Sequence, residues 1–340
     1  NIFFITTINI MKIENLNVNN EILIIAEIGN NHEGSYALAE EMIGLASESG
    51  ADAVKFQTII PNRLVSINNS ERIQQLEKFQ LSYEEFNKLS KVAKQEGLIF
   101  LSTPFDIESA LFLNEIVPAY KVASGDNNFY PLIDTIAKTG KPIILSTGLM
   151  NINEVNKTAL FIRNIWKEKK INQKLALLHC VSCYPTPYED TNLLAICDLK
   201  DIADVVGYSD HTLGINAAIL SVAVGSRIIE KHFTLDNNYS NFHDHELSAN
   251  PNDFKKMVDE IRFAEKILGS DRKMPSELEL EAKQAIRRSI VAKHDLDAGH
   301  KIQLEDLEWV RPGGGFRPGE EAQLIGKRVI VKIDCGSIIK

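Results

Sequence analysis

Short apolar stretches recur along this chain, and polar, often ionisable residues close each of them. Eight such stretches occur between residues 22 and 233, and a segment with the spacing of an amphipathic helix follows each one. Buried strands of a parallel sheet are apolar, whereas the helices that cover them carry one apolar face. The pattern therefore predicts an α/β fold, a (β/α)8 TIM barrel. The predicted strands are residues 22–28, 51–56, 98–101, 119–123, 142–145, 175–181, 205–208 and 228–233.

The segments between the strands carry the periodicity and the end signals of helices. In residues 35–50, for example, Leu38, Met42 and Leu45 share one helical face, and Gly50 can end the helix. Residues 59–80 form an enlarged loop after the second strand, which we expect to contain a helix and to cover the barrel mouth. The other predicted helices are residues 82–97, 107–116, 131–140, 152–168, 215–224 and 252–268, with a shorter one in 191–201.

The character of the chain changes after Gly269. A polar helix is predicted at 274–288, and two later stretches, 292–302 and 331–339, each couple short strands through an Asp-x-Gly turn. This repetition predicts a small pseudo-symmetric β module. The predicted boundaries are an N-terminal extension at 1–20, a catalytic barrel at 21–270, a linker helix at 271–288 and the β-rich module at 289–340.

Composition limits the kinds of partner. The 340 residues suffice for a barrel of about 250 residues plus a small appendage. The formal net charge is −9, so we expect no nucleic-acid partner, and no apolar run is long enough for a membrane span. The first ten residues are apolar but lack a basic start, which argues against a signal peptide.

The four cysteines are too few for a disulfide scaffold and indicate a reducing compartment, so we expect a cytoplasmic protein. Cys180 and Cys183 form an isolated C-x-x-C pair. Because a zinc site would need a second such pair and a redox site a thioredoxin-like context, packing is the favoured interpretation.

Two strand ends carry the residues of a candidate metal site. Side chains alternate along a strand, so Ser209 and His211 share one face, as do Glu230 and His232. The two strands are neighbours in a barrel, which would bring both imidazoles to its mouth. Two imidazoles with oxygen ligands and water suit Mn²⁺, Mg²⁺ or Co²⁺ better than a closed structural zinc site.

Lysines and hydroxyl groups at other strand ends indicate that an anion binds at the same mouth. Lys55, flanked by Val54 and Phe56, should point inward together with Gln57. Charge-assisted donors of this kind bind phosphate and carboxylate groups, which favours a small phosphorylated acid as substrate. Alternatively, the lysines extend to water and the hydroxyls cap helices. The remaining candidates are Ser102, Thr103, Lys121, Ser124, Ser146 and Ser209.

Glu27 lies in an otherwise apolar strand and is a candidate general base. A carboxylate inside a barrel is costly unless it is paired or used in the reaction. Pairing with Lys55 alone is the simpler structural explanation, and the two interpretations are compatible.

Several motifs, in order from about residue 22 onward, resemble those of the sialic acid (nonulosonic acid) synthases. They are residues 26–34 (AEIGNNHEG), 50–57 (GADAVKFQ), 102–105 (STPF), 120–125 (YKVASG), 179–185 (HCVSCYP), 208–212 (YSDHT), 230–234 (EKHFT) and 311–314 (RPGG). The resemblance implies a TIM barrel joined to a C-terminal antifreeze-like SAF domain, and a domain-swapped homodimer. It also implies a transferase that condenses phosphoenolpyruvate with an N-acetylated hexosamine, first of all N-acetylmannosamine, with water entering and phosphate leaving.

The same resemblance implies roles for individual residues. His211 and His232 correspond to metal ligands, with Mn²⁺ the first expectation, and Glu27 and Glu230 are expected to act with them in catalysis. The expected phosphoenolpyruvate contacts are Lys55, Thr103, Lys121, Ser124, Ser182 and Ser209. The expected sugar contacts are Gln57, Tyr184, Asp244 and, from the partner subunit, Arg311.

The chain departs from the family pattern at two places, and the second, which lies beside an expected sugar contact, leaves the acceptor sugar open. Ser182 stands where some members have Asn, and Phe242-His243 stands where many have Gly-Pro. The alternative acceptors are 2,4-diacetamido-trideoxyhexoses, which would make the enzyme a legionaminic or pseudaminic acid synthase. A non-catalytic binding protein is a more remote alternative, because an antifreeze-like module can bind ice by itself. The presence of Glu27, Lys55 and both histidines favours an enzyme.

Overall fold

The computed structural model describes residues 10–270 and 272–340. The chain divides between Gly269 and Ser270 into two compact units, each of which is described by itself. Within the described ranges, no helix combines the length and apolar character needed to cross a bilayer.

The first unit is built around eight parallel strands, which confirms the predicted barrel. The neighbour order is β5-β4-β3-β10-β9-β8-β7-β6, and β5 and β6 lie side by side, so the sheet is nearly closed. The strands of this unit are β1 (Lys12–Ile13), β2 (Leu16–Asn17), β3 (Leu23–Gly29), β4 (Ala53–Thr58), β5 (Ile99–Pro104), β6 (Tyr120–Val122), β7 (Ile143–Ser146), β8 (Leu175–Cys180), β9 (Val205–Asp210) and β10 (Ile228–His232).

Helices follow the barrel strands as the periodicity predicts. Ser82 begins one of them with a capping box, in which its hydroxyl accepts from the Glu85 amide and the Glu85 carboxylate accepts in return. The 59–80 segment contains two helices, and a further short helix follows β10. The helices of this unit are α1 (Tyr36–Glu48), α2 (Pro61–Leu64), α3 (Ser70–Phe79), α4 (Tyr83–Gln95), α5 (Ile107–Leu113), α6 (Tyr130–Lys138), α7 (Ile152–Lys169), α8 (Ile196–Leu199), α9 (Asn216–Val224), α10 (Asp244–Leu247) and α11 (Pro251–Leu268).

Alternation along the strands separates a helix-facing side from a barrel interior. On β3, Ile24 and Ala26 pack with the helices, whereas Leu23 and Ile25 belong to the inner cluster. The next inward position on β3 is Glu27. The interior is therefore apolar at the N-terminal floor and becomes polar towards the C-terminal mouth, where chemistry collects in this fold.

A short β-hairpin packs against the floor of the barrel. Strands β1 and β2 pair antiparallel, and Met11, Ile13 and Val18 are fully buried in the inner cluster with Leu23 and other strand residues. Within the predicted N-terminal extension at 1–20, Met11, Ile13 and Val18 thus belong to the inner core of the barrel. Residues 1–9 lie outside the described part of the chain.

The second unit contains α12 (Glu277–Ile286), β11 (Ser289–Ala292) and β12 (Leu307–Val310). The two strands pair antiparallel, and single bridges join Val291 to Ile338 and Leu296 to Ile333. Both Asp-x-Gly turns are present, and their glycines, Gly299 and Gly336, adopt φ of +91° and +78°. The two echoing stretches therefore pair with each other around one small core.

Candidate active site

The inward-facing residues at the strand ends form one buried polar cluster at the barrel mouth. Glu27 lies opposite Lys55 in the β3–β4 register and opposite His232 in the β10–β3 register. Lys121 and Glu230 project into the same space, and none of these five residues is more than 5% exposed. The register of neighbouring strands therefore brings together residues that are distant in sequence.

Two lysines and two glutamates alternate in this cluster. Lys55 Nζ lies 2.8 Å from Glu27 Oε2 and 3.9 Å from Glu230 Oε2, and it donates a hydrogen bond of 3.0 Å to Thr103 Oγ1. Lys121 Nζ lies 3.3 Å from Glu230 Oε1, which also accepts a hydrogen bond of 2.9 Å from Ser209 Oγ. All four side chains are buried, so an entering anion would meet ammonium groups that are largely shielded from solvent.

The two glutamates have different protonation behaviour. Burial opposes ionisation of Glu230, but the ammonium groups of Lys121 and Lys55 outweigh it and lower its pKa to about 2. Burial raises the pKa of Glu27, and the neighbouring Glu230 carboxylate adds to that rise against the attraction of Lys55. Glu27 is therefore the carboxyl group better suited to exchange a proton near neutral pH.

His211 and His232 face each other, with ring centroids 5.4 Å apart. His211 Nδ1 lies 2.9 Å from the Val181 carbonyl oxygen; because a carbonyl only accepts, Nδ1 carries the proton and the Nε2 lone pair is free. Burial lowers the pKa of His232 well below its usual value. His232 is therefore a neutral imidazole, the form that binds metals.

The donor set at the two histidines fits a divalent cation with open positions. His232 Nδ1 and Glu230 Oε2 are buried and have no hydrogen-bond partner among the described residues. No group of three or more His, Cys, Asp or Glu side chains in that part of the chain is arranged to hold a metal. Two imidazoles would therefore need water or substrate oxygens to complete a coordination shell, as in an open catalytic site.

Three serines and a glycine form a small cradle beside Lys121. Gly148 N donates to Ser124 Oγ at 3.1 Å, and a Cβ at Gly148 would lie 2.5 Å from Ser182 Oγ and 2.7 Å from Ser124 Oγ. Within the described residues, the buried hydroxyls of Ser146 and Ser182 lack partners. Close backbone approach and free hydroxyl donors suit an anionic oxygen.

Gln57 occupies a position between Glu27 and Asn30. Its Nε2 donates to Glu27 Oε1 at 3.0 Å, and its Oε1 accepts from Asn30 Nδ2 at 3.0 Å. The resemblance implies a sugar contact here; the structure adds a hydrogen bond that orients Glu27. Asn30 is a site residue that the sequence analysis did not single out, although it lies in the first quoted motif.

Tyr184 and Asp244 lie beside the histidines. The Tyr184 ring is 4.2 Å from the His211 ring, and Asp244 Oδ2 is 3.9 Å from His232 Nδ1. Asp244 begins α10, and its other oxygen lies 3.1 Å from His243 Nε2. His243 belongs to the dipeptide that departs from the family pattern, so it lies next to an expected sugar contact.

Two candidate residues lie elsewhere. Ser102 faces the helices, not the mouth, because it falls on the outward phase of β5; its hydroxyl lies 2.7 Å from that of Thr58. Arg311 is exposed and belongs to the second unit. The strand-end position of Ser102 alone did not give its phase on β5, whereas the expectation for Arg311 came from the family resemblance.

The C-x-x-C cysteines do not form a disulfide. Cys183 is exposed, whereas Cys180 is buried with its Sγ 3.7 Å from His211 Nδ1. Packing, the interpretation favoured from the sequence, leaves out the contact that Cys180 makes with the site residue His211. The signal was present, because Cys180 is in phase with Ala176 and Leu178 of the inner cluster.

Two known domain families together match most of the chain. Residues 42–273 match the NeuB family, and residues 287–340 match the SAF domain.

Curated relatives and a solved structure match it over most of their length. The N,N'-diacetyllegionaminic acid synthase of Legionella pneumophila is 40% identical over 93% of this chain and 92% of its own. The pseudaminic acid synthase of Campylobacter jejuni is 36% identical over 97% and 98%. The crystal structure of an N-acetylneuraminic acid (sialic acid) synthetase from Leptospira borgpetersenii, in complex with citrate, is 36% identical and covers 80% of this chain and 94% of its own, with a TM-score of 0.74.

Proposed function

Since the chain belongs to the NeuB family and ends in a SAF domain, we propose that it condenses phosphoenolpyruvate with an N-acylated hexosamine to give a nonulosonic acid and phosphate. The observation that carries this proposal is the buried cluster of Lys55, Lys121, Glu27 and Glu230 beside two histidines. It combines an anion site, a carboxyl group that can move a proton and a pair of metal-binding imidazoles.

The anion site accounts for phosphoenolpyruvate. Lys55 and Lys121 provide two ammonium groups, and Ser124, Ser146 and Ser182 provide hydroxyl donors for its phosphate and carboxylate oxygens. Charge-assisted hydrogen bonds in a region without water are strong and fix the orientation of a small substrate. Because the bound anion would add negative charge next to Glu27, binding would also favour proton uptake by that group.

The reaction follows from these positions. Carbon 3 of phosphoenolpyruvate attacks the aldehyde carbon of the open-chain sugar; the carbonyl π electrons move to the aldehyde oxygen and positive charge is left at carbon 2. The alkoxide so formed takes up the proton that Glu27 receives in the next step. Water adds at carbon 2 and gives its proton to Glu27, which Gln57 orients. The resulting phosphohemiketal then releases phosphate by C–O cleavage. A divalent cation held by His211 and His232, for which Mn²⁺ is the first candidate, would supply Lewis-acid polarisation of the aldehyde.

The acceptor we favour is a 2,4-diacetamido-2,4,6-trideoxyhexose, with N,N'-diacetyllegionaminic acid as product. The legionaminic acid synthase of Legionella pneumophila supports this choice, with 40% identity over nearly the full length of both chains. N-acetylmannosamine, the first expectation from sequence, is the second candidate, and a pseudaminic acid precursor is the third. His243 next to Asp244 is the feature that would separate these acceptors.

We further propose a domain-swapped homodimer in which Arg311 of one subunit reaches the acetamido group bound in the barrel of the other. The exposed position of Arg311 in the SAF unit supports this role, because a guanidinium can donate hydrogen bonds to an amide carbonyl.

A product analysis tests the proposed function. The purified protein is incubated with phosphoenolpyruvate, Mn²⁺ and either N-acetylmannosamine or the 2,4-diacetamido-2,4,6-trideoxymannose; released phosphate is measured and the product identified by mass. We expect phosphate release and a nine-carbon keto acid, faster with the diacetamido sugar, and loss of both when a chelator or His232→Ala is used. Turnover that survives exhaustive chelation would contradict the metal role. If no acceptor led to phosphate release, the proposed activity would be refuted and the alternative of a non-catalytic binding protein would be favoured.

A further inference from the structure

A fully buried ion pair lies directly behind the two histidines, on the helix-facing side of the barrel wall. Lys231 Nζ is 3.0 Å from Asp210 Oδ2, and both side chains are 0% exposed. Outward positions of the other barrel strands are mostly apolar, as Ile24, Val54 and Leu177 show. A charged pair at this depth is therefore exceptional within the wall of this barrel.

The ion pair is hydrogen-bonded to the residues that come directly before and after His211 in the sequence. Asp210 Oδ1 accepts from the Tyr208 hydroxyl at 3.1 Å and from the Thr212 backbone N–H at 2.8 Å. Lys231 Nζ donates to the Thr212 carbonyl at 2.5 Å as well as to Asp210. The residues on both sides of His211 are thus bonded to one ammonium group.

That ammonium group belongs to the residue before His232. Because side chains alternate, Asp210 and Lys231 point outward while His211 and His232 point inward on the same two strands. Any slip of the end of β9 relative to β10 would break bonds of the pair and change the separation of the two imidazoles. Apolar side chains could fill the same space, but they could not bond to the chain around His211.

We propose that Asp210 and Lys231 are positioning residues, which hold the ends of β9 and β10 so that His211 and His232 can share one cation. Stability alone does not account for the pair, since buried ion pairs can often be replaced by neutral groups of similar shape without loss of stability. Groups behind metal ligands, by contrast, commonly set the orientation of those ligands and therefore their affinity. This inference rests on the metal role proposed above for the two histidines.

The test uses the double variant Asp210→Asn/Lys231→Met in the full-length protein. Lys231→Met alone would leave a buried carboxylate without a countercharge, whereas the double variant removes both charges and nearly keeps both shapes. The matched control is Asp52→Asn/Arg262→Met. It removes an ion pair next to the barrel floor, in which Arg262 Nη2 lies 2.8 and 2.7 Å from the two carboxylate oxygens of Asp52. The Asp52 carboxylate also accepts a hydrogen bond from the Ile24 N–H.

Two measurements are made on each protein. Titration calorimetry with MnCl₂ gives the metal affinity, and ¹⁵N spectra of the histidine rings in metal-free protein report which nitrogen of His211 carries the proton. We expect the Asp210/Lys231 variant to fold, to bind Mn²⁺ about ten- to a hundredfold more weakly, and to show a mixture of His211 tautomers. The control should keep the wild-type affinity and ring spectrum even where its Tm is lower.

Wild-type affinity and an unchanged ring spectrum in the Asp210/Lys231 variant would overturn the inference. An equal loss of affinity in both double variants would overturn it too, because it would show a general effect of stability. Wild-type protein that binds no Mn²⁺ would refute the metal role instead, and the metal-free ring spectrum would still decide whether the pair orients His211.

Discussion

At the scale of single residues, the charged neighbours of a buried carboxyl group decide the direction in which its pKa moves. Glu230 and Glu27 are equally buried, yet the two ammonium groups near Glu230 lower its pKa while Glu27, with one ammonium group and a neighbouring carboxylate, has a raised pKa. In His32, burial outweighs the attraction of the Glu85 and Glu33 carboxylates and lowers the pKa of the imidazole. It is 1% exposed, and its Nε2 has no partner within the described residues.

His32 makes the stability of the barrel depend on pH. Burial lowers its pKa from 6.5 to about 4, so between those values the unfolded chain binds a proton that the folded chain does not. Stability is therefore fully present above pH 6.5 and decreases as the pH falls towards 4. From pH 7 to pH 5 the loss from this group is on the order of 2 kcal/mol.

The variant His32→Phe should lose this dependence, since it keeps a ring beside Phe56 but cannot titrate. Urea unfolding of both proteins at pH 7 and pH 5 measures the difference. A wild-type protein that loses no more stability than His32→Phe over this range would refute the shifted pKa.

At the scale of elements, the ends of strands and the turns after them build the site. The segment after β7 shows this clearly, because Gly148 lets the backbone approach the hydroxyls of Ser124 and Ser182. At the other end of the barrel, the β1–β2 hairpin buries Met11 and Ile13 under the apolar interior. The mouth and the floor are thus assembled from segments outside the regular βα repeat.

Gly148→Ala should weaken phosphoenolpyruvate binding more than it weakens the fold. The added methyl group would lie under 3 Å from two serine hydroxyls, which can rotate away but would then leave the cradle. We expect kcat/KM for phosphoenolpyruvate to fall about ten- to a hundredfold. Steady-state kinetics and thermal unfolding measure the two effects.

Gly44→Ala is the matched control, because its Cβ meets no atom within 4 Å and it lies inside α1. It should leave the kinetics unchanged and raise stability slightly, by about 0.5–1 kcal/mol. If Gly148→Ala had wild-type kinetics, the cradle would play no part in phosphoenolpyruvate binding.

At the scale of the whole molecule, the barrel carries the buried charges and the SAF unit carries Arg311. Each unit has its own core, with the Leu296 and Leu307 side chains buried in the smaller one. In a swapped dimer, a site that uses both units would contain residues from two chains. Mixed dimers distinguish this arrangement from a site built within a single chain.

Mixed dimers of His232→Ala and Arg311→Ala chains test the proposed swap. Each hybrid would contain one intact site, made of the barrel of one chain and Arg311 of the other. Random mixing should therefore restore about a quarter of wild-type kcat/KM for the sugar, measured below its KM. Mixing His232→Ala with Lys121→Ala, two defects in the barrel, should restore none. No recovery in the first mixture would refute the transfer of Arg311 between subunits.

The sequence determined the barrel and the residues that enter its mouth, because both depend on short-range patterns. Apolar strands closed by polar residues gave the eight-stranded fold, and alternation placed Lys55, Gln57 and Glu230 on the inward phase before any contact was known. The family motifs then added expectations for Ser182, Tyr184, Asp244 and Arg311, which remain predictions of role.

Only the tertiary structure decided which of these groups touch and which face away. Register between strands set the contacts of Lys55 with Glu27 and Glu230 and brought Lys231 against Asp210. Ser102 lies on the helix side because of its phase along β5. The hairpin below the floor and the hydrogen bond from Asn30 to Gln57 also escaped the sequence analysis. A pattern along one strand fixes the direction of a side chain, but its partner lies on another strand. Distance and pKa are set between strands, so they appear only when the barrel closes.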